Sequence, residues 1–252
     1  MHLFFVLSIF LYGQSSRAAF KVFIDPGHGG NEPGARYEGV TESELALKIS
    51  KELLTLIQEN PSMEAQLSRT SNQALSLEER SKKAESFNTD LFVSIHANSS
   101  PNAKACGTEF YFQNTLPSTE ESLYLANLEE QILKKKSEQK TQSEIENLST
   151  ENEVDAILED LKIQSSMHRS LLFSKNLKKN WHPKATIKQG AFFVISKQPY
   201  PSVLVELGYL TNPKDRQLLK QSYYQKDLAQ KIYDSIHDYQ QIVDKKDTKA
   251  LN

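Results

Sequence analysis

Apolar and polar residues follow one another along the chain in patterns that predict strands and helices in turn. Six short segments have the pattern of strands, namely Lys21–Asp25, Glu64–Ser68, Leu91–His96, Thr108–Phe112, Phe192–Ile195 and Ser202–Glu206. Four segments have apolar residues at helical spacing or a helix-start signal, namely Glu42–Glu59, Ser76–Phe87, Lys214–Lys220 and Tyr223–Tyr239. This alternation predicts a single α/β domain with a mostly parallel or mixed central sheet of about six strands, flanked by helices.

The stretch between Phe112 and Phe192 departs from this pattern, because it is rich in Glu, Lys, Gln and Ser and contains no clear strand. One apolar stripe within it has the spacing of a short helix and consists of Val154, Ile157, Leu158 and Leu161. A longer helix is predicted after this stripe. We interpret residues from about 114 to 180 as a helical insertion that packs on the domain.

The first 18 residues have the layout of a secretory signal peptide. The apolar run Leu3–Leu11 is too short to span a bilayer, and the small-x-small sequence Ser16-Arg17-Ala18 follows it. We expect cleavage after Ala18, a folded domain over residues 19–240 and a polar tail over residues 241–252. The mature chain would then lie in the periplasm or outside the cell, with no membrane span. A buried N-terminal strand is the alternative interpretation of the apolar run.

Composition argues against some kinds of binding partner and some kinds of metal site. The chain has 30 Lys and Arg against 32 Asp and Glu, a net charge of −2, so it lacks the basic field that favours nucleic acid. Its one cysteine, Cys106, excludes an intramolecular disulfide and any metal site built from several cysteines. Histidines and carboxylates therefore remain as the candidate metal ligands.

Four such residues stand at the ends of predicted strands or at the start of a helix. His28 follows the first strand, His96 ends the third, Glu206 ends the last, and Glu42 begins the first long helix. Singly, each has a structural explanation; Glu42, for example, suits the positive end of a helix dipole. Together, two imidazoles and a carboxylate are the ligand set of a catalytic zinc ion, and Glu206 is then the candidate general base.

The chain resembles the zinc-dependent N-acetylmuramoyl-L-alanine amidases at several motifs in order. These motifs are Asp25–Gly30 with Pro33-Gly34-Ala35, Glu42 with Leu47, Ser76-Leu77 with Arg80, Ser94–Asn98, Cys106–Phe112 and Pro201–Asn212. The match runs from about Lys21 to about Tyr239. The resemblance implies that His28, Glu42 and His96 bind one zinc ion and that Glu206 is the catalytic glutamate. Glu44 is the only rival for the role of Glu42, and the step to Leu47 favours Glu42.

The resemblance also implies the reaction. Members of this family hydrolyse the amide bond between the lactyl group of N-acetylmuramic acid and L-alanine in peptidoglycan. We expect zinc to polarise the scissile carbonyl while Glu206 takes a proton from water and passes it to the leaving amine. We expect Asn98, just beyond the ligand strand, to help shape the site.

The insertion resembles that of the cell-division amidases, including the stretch Asp155–Leu161. In those relatives a helix of the insertion covers the zinc site, and a protein activator displaces it. Our hypothesis is that Glu151–Leu161 acts in this way, with Glu153 or Glu159 as the blocking carboxylate. We expect the protein to be a monomer.

Two other functions are compatible with the same residues. A zinc peptidase acting on the stem peptides of peptidoglycan would use identical metal chemistry. A catalytically inactive wall-binding or regulatory protein is the second alternative, although it would have no need to keep three ligands and Glu206 together.

Overall fold

The computed structural model describes residues 18–113, 151–181, 185–196 and 198–250. Residues 1–17 of the expected signal peptide and the part of the insertion over residues 114–150 lie outside the described residues. Within the described part of the chain, no helix combines the length and the apolar character needed to cross a membrane.

Six strands form one mixed sheet, which confirms the predicted fold class. The strands are β1 (Phe20–Pro26), β4 (Met63–Leu67), β5 (Leu91–Asn98), β6 (Glu109–Phe112), β7 (Thr186–Gln189) and β8 (Ser202–Tyr209). Their order is β4-β1-β5-β8-β6-β7. The first four strands in this order are parallel, whereas β6 runs antiparallel to β8 and β7 is parallel to β6. Two short strands, β2 (Arg36–Tyr37) and β3 (Val40–Thr41), pair separately.

Five helices surround the sheet in the described residues. They are α1 (Glu42–Gln58), α2 (Leu77–Ser86), α3 (Glu151–Asn180), α4 (Pro213–Leu219) and α5 (Ser222–Ala250). The start signal expected for the helix of Ser76–Phe87 is a capping box, because the Ser76 hydroxyl accepts from Glu79 N and the Glu79 carboxylate accepts from Ser76 N.

Alternation along the strands divides the core into two layers and places the polar residues. On one face, residues such as Ile24, Val93 and Val205 pack with α1, α3 and α5. On the other face, Phe92 and Leu204 pack in a smaller apolar cluster that α2 covers. Because side chains alternate between faces, the polar residues at the strand ends project on this second face.

Several predicted elements differ from the structure. Phe192–Ile195 is not a strand: residues Phe193–Ile195 form a 3₁₀ turn. Strand β7 was not predicted, because its sequence Thr-Ile-Lys-Gln has a single large apolar residue. The two helices expected late in the insertion are one continuous helix, α3, since no Gly or Pro interrupts it. The expected polar tail is also helical, because α5 continues to Ala250.

Candidate metal centre

The loop after β1 places His28 beside the end of β5. Gly27 N donates to Ile95 O (2.9 Å), which pins the turn to the neighbouring strand. His28 itself has φ of 56°, an uncommon left-handed conformation for a residue with a side chain. A Cβ atom at Gly27 would overlap the His96 ring, so glycine is required for the close approach of the two segments.

Glu42, the first residue of α1, is held by backbone donors from two sides. Ala35 N donates to Oε2 (2.8 Å), and Ala97 N donates to Oε1 (3.1 Å). A Cβ atom at Gly34 would overlap this carboxylate and the His28 ring. The carboxylate is therefore fixed between the loop after β1 and the end of β5.

The structure brings His28, Glu42 and His96 together, as the sequence predicts. Glu42 Oε1 lies 3.1 Å from His28 Nε2 and 3.0 Å from His96 Nδ1, and one ligand atom from each residue lies within 4.8 Å of the others. Ligand atoms that share a tetrahedral zinc ion are about 3.3 Å apart, since each lies about 2.0–2.1 Å from the metal. The donor set and its spacing therefore fit a zinc ion. Glu44, the rival for Glu42, is exposed on α1 and outside this group.

Electrostatics favour the ionised form of this carboxyl group. Burial acts to raise the pKa of Glu42, but the adjacent imidazoles of His28 and His96 outweigh burial through charge and hydrogen bonding. The pKa of Glu42 is therefore held well below its ordinary value. Metal binding requires the Glu42 carboxyl group to be ionised, and it stays ionised beside the two imidazoles.

Glu206 lies on β8 directly beside this group. The register of the parallel pair β5 and β8 places Glu206 opposite His96, and both side chains project on the same face. Glu206 is 5% exposed, so its carboxyl group belongs to the floor of the site rather than to the surface. The structure thus brings the candidate base and the candidate ligands to one edge of the sheet.

Asn98 lies on the same edge but contacts the site through another residue. Its Nδ2 donates to Glu109 Oε2 (3.2 Å), and its Oδ1 accepts from Ser99 N (2.8 Å). Glu109 is in turn opposite Glu206 in the antiparallel pair of β6 and β8. Asn98 therefore orders a buried carboxylate next to Glu206.

A buried ion pair supports the His28 loop from beneath, and sequence reasoning gave it no role. Arg80 Nη1 lies 2.5 Å from Asp25 Oδ1, and Arg80 Nη2 donates to His28 O (2.7 Å). Arg69 donates to Pro26 O (3.0 Å) and Gly27 O (2.7 Å). Burial acts to raise the pKa of Asp25, but Arg80 and hydrogen bonds outweigh it and lower that pKa. Two guanidinium groups thus fix the carbonyls of this loop.

The described contacts of Ser166 and Ser170 place the middle of α3 near the start of β8. Ser170 of α3 accepts from Ser202 N (2.8 Å) at the start of β8, and Ser166 donates to Gln198 O (2.7 Å). Because Glu206 lies at the other end of β8, α3 extends away from the metal site toward Glu151.

The two carboxylates proposed to block the site, Glu153 and Glu159, lie on the part of α3 that extends away from it. Their side chains are outside the described residues. A blocking role for either carboxylate therefore stays a prediction.

Comparisons with known proteins show which family the chain belongs to. The profile of a family described as N-acetylmuramoyl-L-alanine amidase matches residues 22–238. N-acetylmuramoyl-L-alanine amidase AmiA of Salmonella typhimurium is 30% identical over 228 residues, which cover 86% of this chain and 75% of that protein. LytC of Bacillus subtilis, another such amidase, is 32% identical over 218 residues, but the chain spans only 35% of its length.

A solved structure extends the similarity to three dimensions. The catalytic domain of CwlV, an N-acetylmuramoyl-L-alanine amidase from Bacillus (Paenibacillus) polymyxa, superposes with a TM-score of 0.64 at 26% identity. The superposition covers 88% of this chain and 98% of that domain.

Proposed function

The chain belongs to the N-acetylmuramoyl-L-alanine amidase family, and from this premise we propose how its own residues carry out the hydrolysis of peptidoglycan. His28, Glu42 and His96 hold one zinc ion, and Glu206 is the general base. The bond cleaved is the amide between the lactyl group of N-acetylmuramic acid and the L-alanine of the stem peptide.

One observation carries this proposal: three ligand atoms within 4.8 Å of one another share a sheet edge with a buried glutamate in register with His96. A structural zinc site would enclose the ion with four protein ligands, whereas three ligands with an adjacent carboxylate are typical of a hydrolytic site.

Each residue of the site has a separate role in the reaction. A zinc ion bound here supplies the Lewis acidity that makes the scissile carbonyl susceptible to water. Glu42 is kept ionised and in place by Ala35 N and Ala97 N, so the ligand set needs little rearrangement. Glu206 accepts the proton of the attacking water and delivers it to the leaving nitrogen, which departs as the amino group of L-alanine.

The test is digestion of isolated peptidoglycan by the protein without its first 18 residues, followed by mass spectrometry of the soluble products. We expect peptides that begin at L-alanine. A chelator and Glu206→Gln should each abolish their release, but only the chelator should remove zinc. Glu44→Gln on the exposed side of α1 is the matched control, and it should keep both zinc and activity.

Other outcomes select the alternative functions. Products with a different amino-terminal residue would identify a peptidase of the stem peptide. No product from a folded, zinc-containing protein would favour an inactive wall-binding protein.

We place the catalytic domain at residues 19–240 and the protein in the periplasm or outside the cell, where its substrate lies. Amino-terminal sequencing of the exported protein tests the leader, with Ala19 as the expected first residue. A protein retaining Met1 after export would contradict cleavage.

A protein activator that acts on the insertion stays a prediction. Three large apolar side chains near the start of α3 support it, because they are exposed; they are Ile157, Leu158 and Leu161. Replacing all three by serine should leave the basal release of peptides unchanged and abolish any stimulation by an activator. Unchanged stimulation would contradict a role for this surface.

A further inference from the structure

Strand β8 contains a β-bulge directly after Glu206. The register of β5 and β8 pairs His96 with Glu206 and then Asn98 with Tyr209, so one residue of β5 faces two residues of β8. A bulge of this kind inserts one extra residue, bends the strand and re-aims the side chains beside it, and bulges are frequent next to active sites. The direction of the Glu206 side chain therefore depends on the bulge that follows it.

The two residues of the bulge, Leu207 and Gly208, are held in an irregular conformation. Gly208 has φ of 149°, a backbone conformation that favours glycine because a side chain would be strained there. On the other side of β8, the pairing with β6 reaches Glu206, which lies opposite Glu109. Beyond that pair, a side chain takes over, since Thr108 Oγ1 donates to Leu207 O (3.2 Å). The bulge is therefore fixed from the side of β6 by a hydroxyl group.

The carboxylate of Asp215, on α4, fixes the end of the bulge. Its Oδ2 atom accepts from Tyr209 N (3.0 Å) and from Gly107 N (2.8 Å), so it joins β8 to the turn that leads into β6. A Cβ atom at Gly208 would lie 3.3 Å from the same oxygen, so the carboxylate also packs against the bulge. Asp215 is itself held by the helix cap, because its backbone N donates to Asn212 Oδ1 (3.3 Å). One oxygen atom thus holds two backbone segments that end beside Glu206.

The bulge also decides which face of the sheet Tyr209 occupies. Side chains alternate along a regular strand, so Tyr209, three residues after Glu206, would lie on the opposite face without the extra residue. The pairing of Tyr209 with Asn98 instead returns it to the face of His96 and Glu206. A β8 strand without the bulge would therefore present a different set of side chains to the metal centre.

We propose that Asp215 is a positioning residue for the hydrolysis: by holding the bulge, it keeps the Glu206 carboxylate aimed at the attacking water. This inference rests on the proposed function. Proton transfer to a general base requires the base to be within hydrogen-bond reach, and a displacement of about 1 Å can slow a reaction about a hundredfold. Asp215 acts through the backbone of Tyr209 and not on the substrate. Its loss should therefore slow the chemical step and leave zinc and substrate binding intact.

The experiment follows release of the L-alanine peptide from a synthetic muramyl peptide by the zinc-containing protein and four variants. Asp215→Ala removes the shared acceptor, whereas Asp215→Asn keeps an oxygen atom in its place. Gly208→Ala strains the bulge and leaves the carboxylate present. Ser76→Ala is the control for stability, because it removes the cap of α2 and touches neither β8 nor α4. The turnover number kcat, KM, zinc content and free energy of unfolding are measured for each protein.

We expect Asp215→Ala to lower kcat about tenfold or more, with KM within about twofold of wild type and zinc content unchanged. Asp215→Asn should retain most of kcat, because its amide oxygen still accepts from both backbone N–H groups. Gly208→Ala should also lower kcat, and combining it with Asp215→Ala should cost less than the product of the two single losses, since both act on one bulge. Ser76→Ala should keep the kcat of wild type although it is destabilised. A purely structural role of Asp215 would lower stability without this split between kcat and KM.

The outcomes that would overturn the inference differ from those that would overturn the proposed function. An unchanged kcat in folded, zinc-containing Asp215→Ala, or an equal loss of kcat in Asp215→Asn, would overturn the inference and leave the proposed function intact. Should Asp215→Ala not fold, Gly208→Ala decides, and an unchanged kcat in that variant would overturn the inference. Failure of the zinc-containing wild-type protein to release an L-alanine peptide would overturn the proposed function and the inference with it.

Discussion

Replacing Arg80 by methionine should destabilise the protein through a single buried carboxylate. Arg80 lies on α2 and is 3% exposed, and its guanidinium group contacts Asp25 Oδ1 while donating to Pro26 O (2.8 Å) and His28 O (2.7 Å). Methionine fills part of the same space but donates nothing. Asp25, which is 1% exposed, would keep its hydrogen bonds from Ser68 and Ser94 and lose its cation.

The size of the stability loss follows from the removal of only one partner of a buried ion pair. Removing one partner of such a pair costs about 3–5 kcal/mol, because the remaining charge is left in an environment of low polarity. Domains of this kind have a total free energy of unfolding of about 5–15 kcal/mol. The Arg80→Met protein should therefore lose a large fraction of its free energy of unfolding, and the remaining free energy should still be large enough to measure.

The pH dependence gives the sharper test. In the wild-type protein the pKa of Asp25 is lowered from 3.8, so its stabilising contribution is present above that pH and lost as the pH falls through the lower folded value. In Arg80→Met, burial without the cation should raise the pKa of Asp25, so folding would favour the protonated form. The stability difference between the two proteins should then be larger at about pH 7 than at about pH 4.

Urea unfolding followed by circular dichroism measures this difference at both pH values. Arg80→Lys keeps the charge and should be less destabilised, and Lys82→Met, exposed on the same helix, should stay within about 0.5 kcal/mol of wild type. A stability difference that does not change with pH, or one below about 1 kcal/mol at pH 7, would refute the assignment of an uncompensated Asp25 charge.

Three further predictions concern the metal centre and the helix that supports it. Gly27→Ala should displace the His96 ring and lower zinc affinity by about tenfold or more in a chelator competition; wild-type affinity would show that the turn yields without moving the ring. Glu42→Gln keeps the shape of the side chain and removes its charge, so zinc content after dialysis should fall to near zero, and a stoichiometric metal content would disprove its role as a ligand. Ser76→Ala should destabilise the protein by about 0.5–2 kcal/mol by removing the α2 cap, with zinc content unchanged; loss of zinc instead would mean that the cap and the site are coupled.

The grouping of the candidate metal ligands and Glu206 could be predicted from sequence, because each of these residues stands at a recognisable end of an element. His28 follows a strand and a Pro-Gly turn, and His96 and Glu206 lie on apolar strands, so a parallel sheet brings them to one edge. Glu42 begins an amphipathic helix. Each of these signals lies within a few neighbouring residues. The fold class alone then predicts that the elements bring these residues together.

Glu109 could not be assigned to this edge in the same way. Its position beside Glu206 depends on the antiparallel direction of β6, which no local pattern encodes. Glu109 is the first residue of β6, and the sequence alone indicates only a polar residue at the start of an aromatic strand. The direction of α3 had the same limitation, since an apolar stripe predicts a helix but not where the helix points.

The antiparallel direction of β6 has a consequence for how this enzyme can change in length. Because β6 runs away from the catalytic edge, the chain leaves the sheet at the opposite edge and re-enters the described structure through α3, far from His96 and Glu206. Loop closure costs rise only slowly with loop length. This exit point is therefore a natural site for the gain or loss of whole segments during evolution, and a place where a reporter domain can be fused without disturbing catalysis.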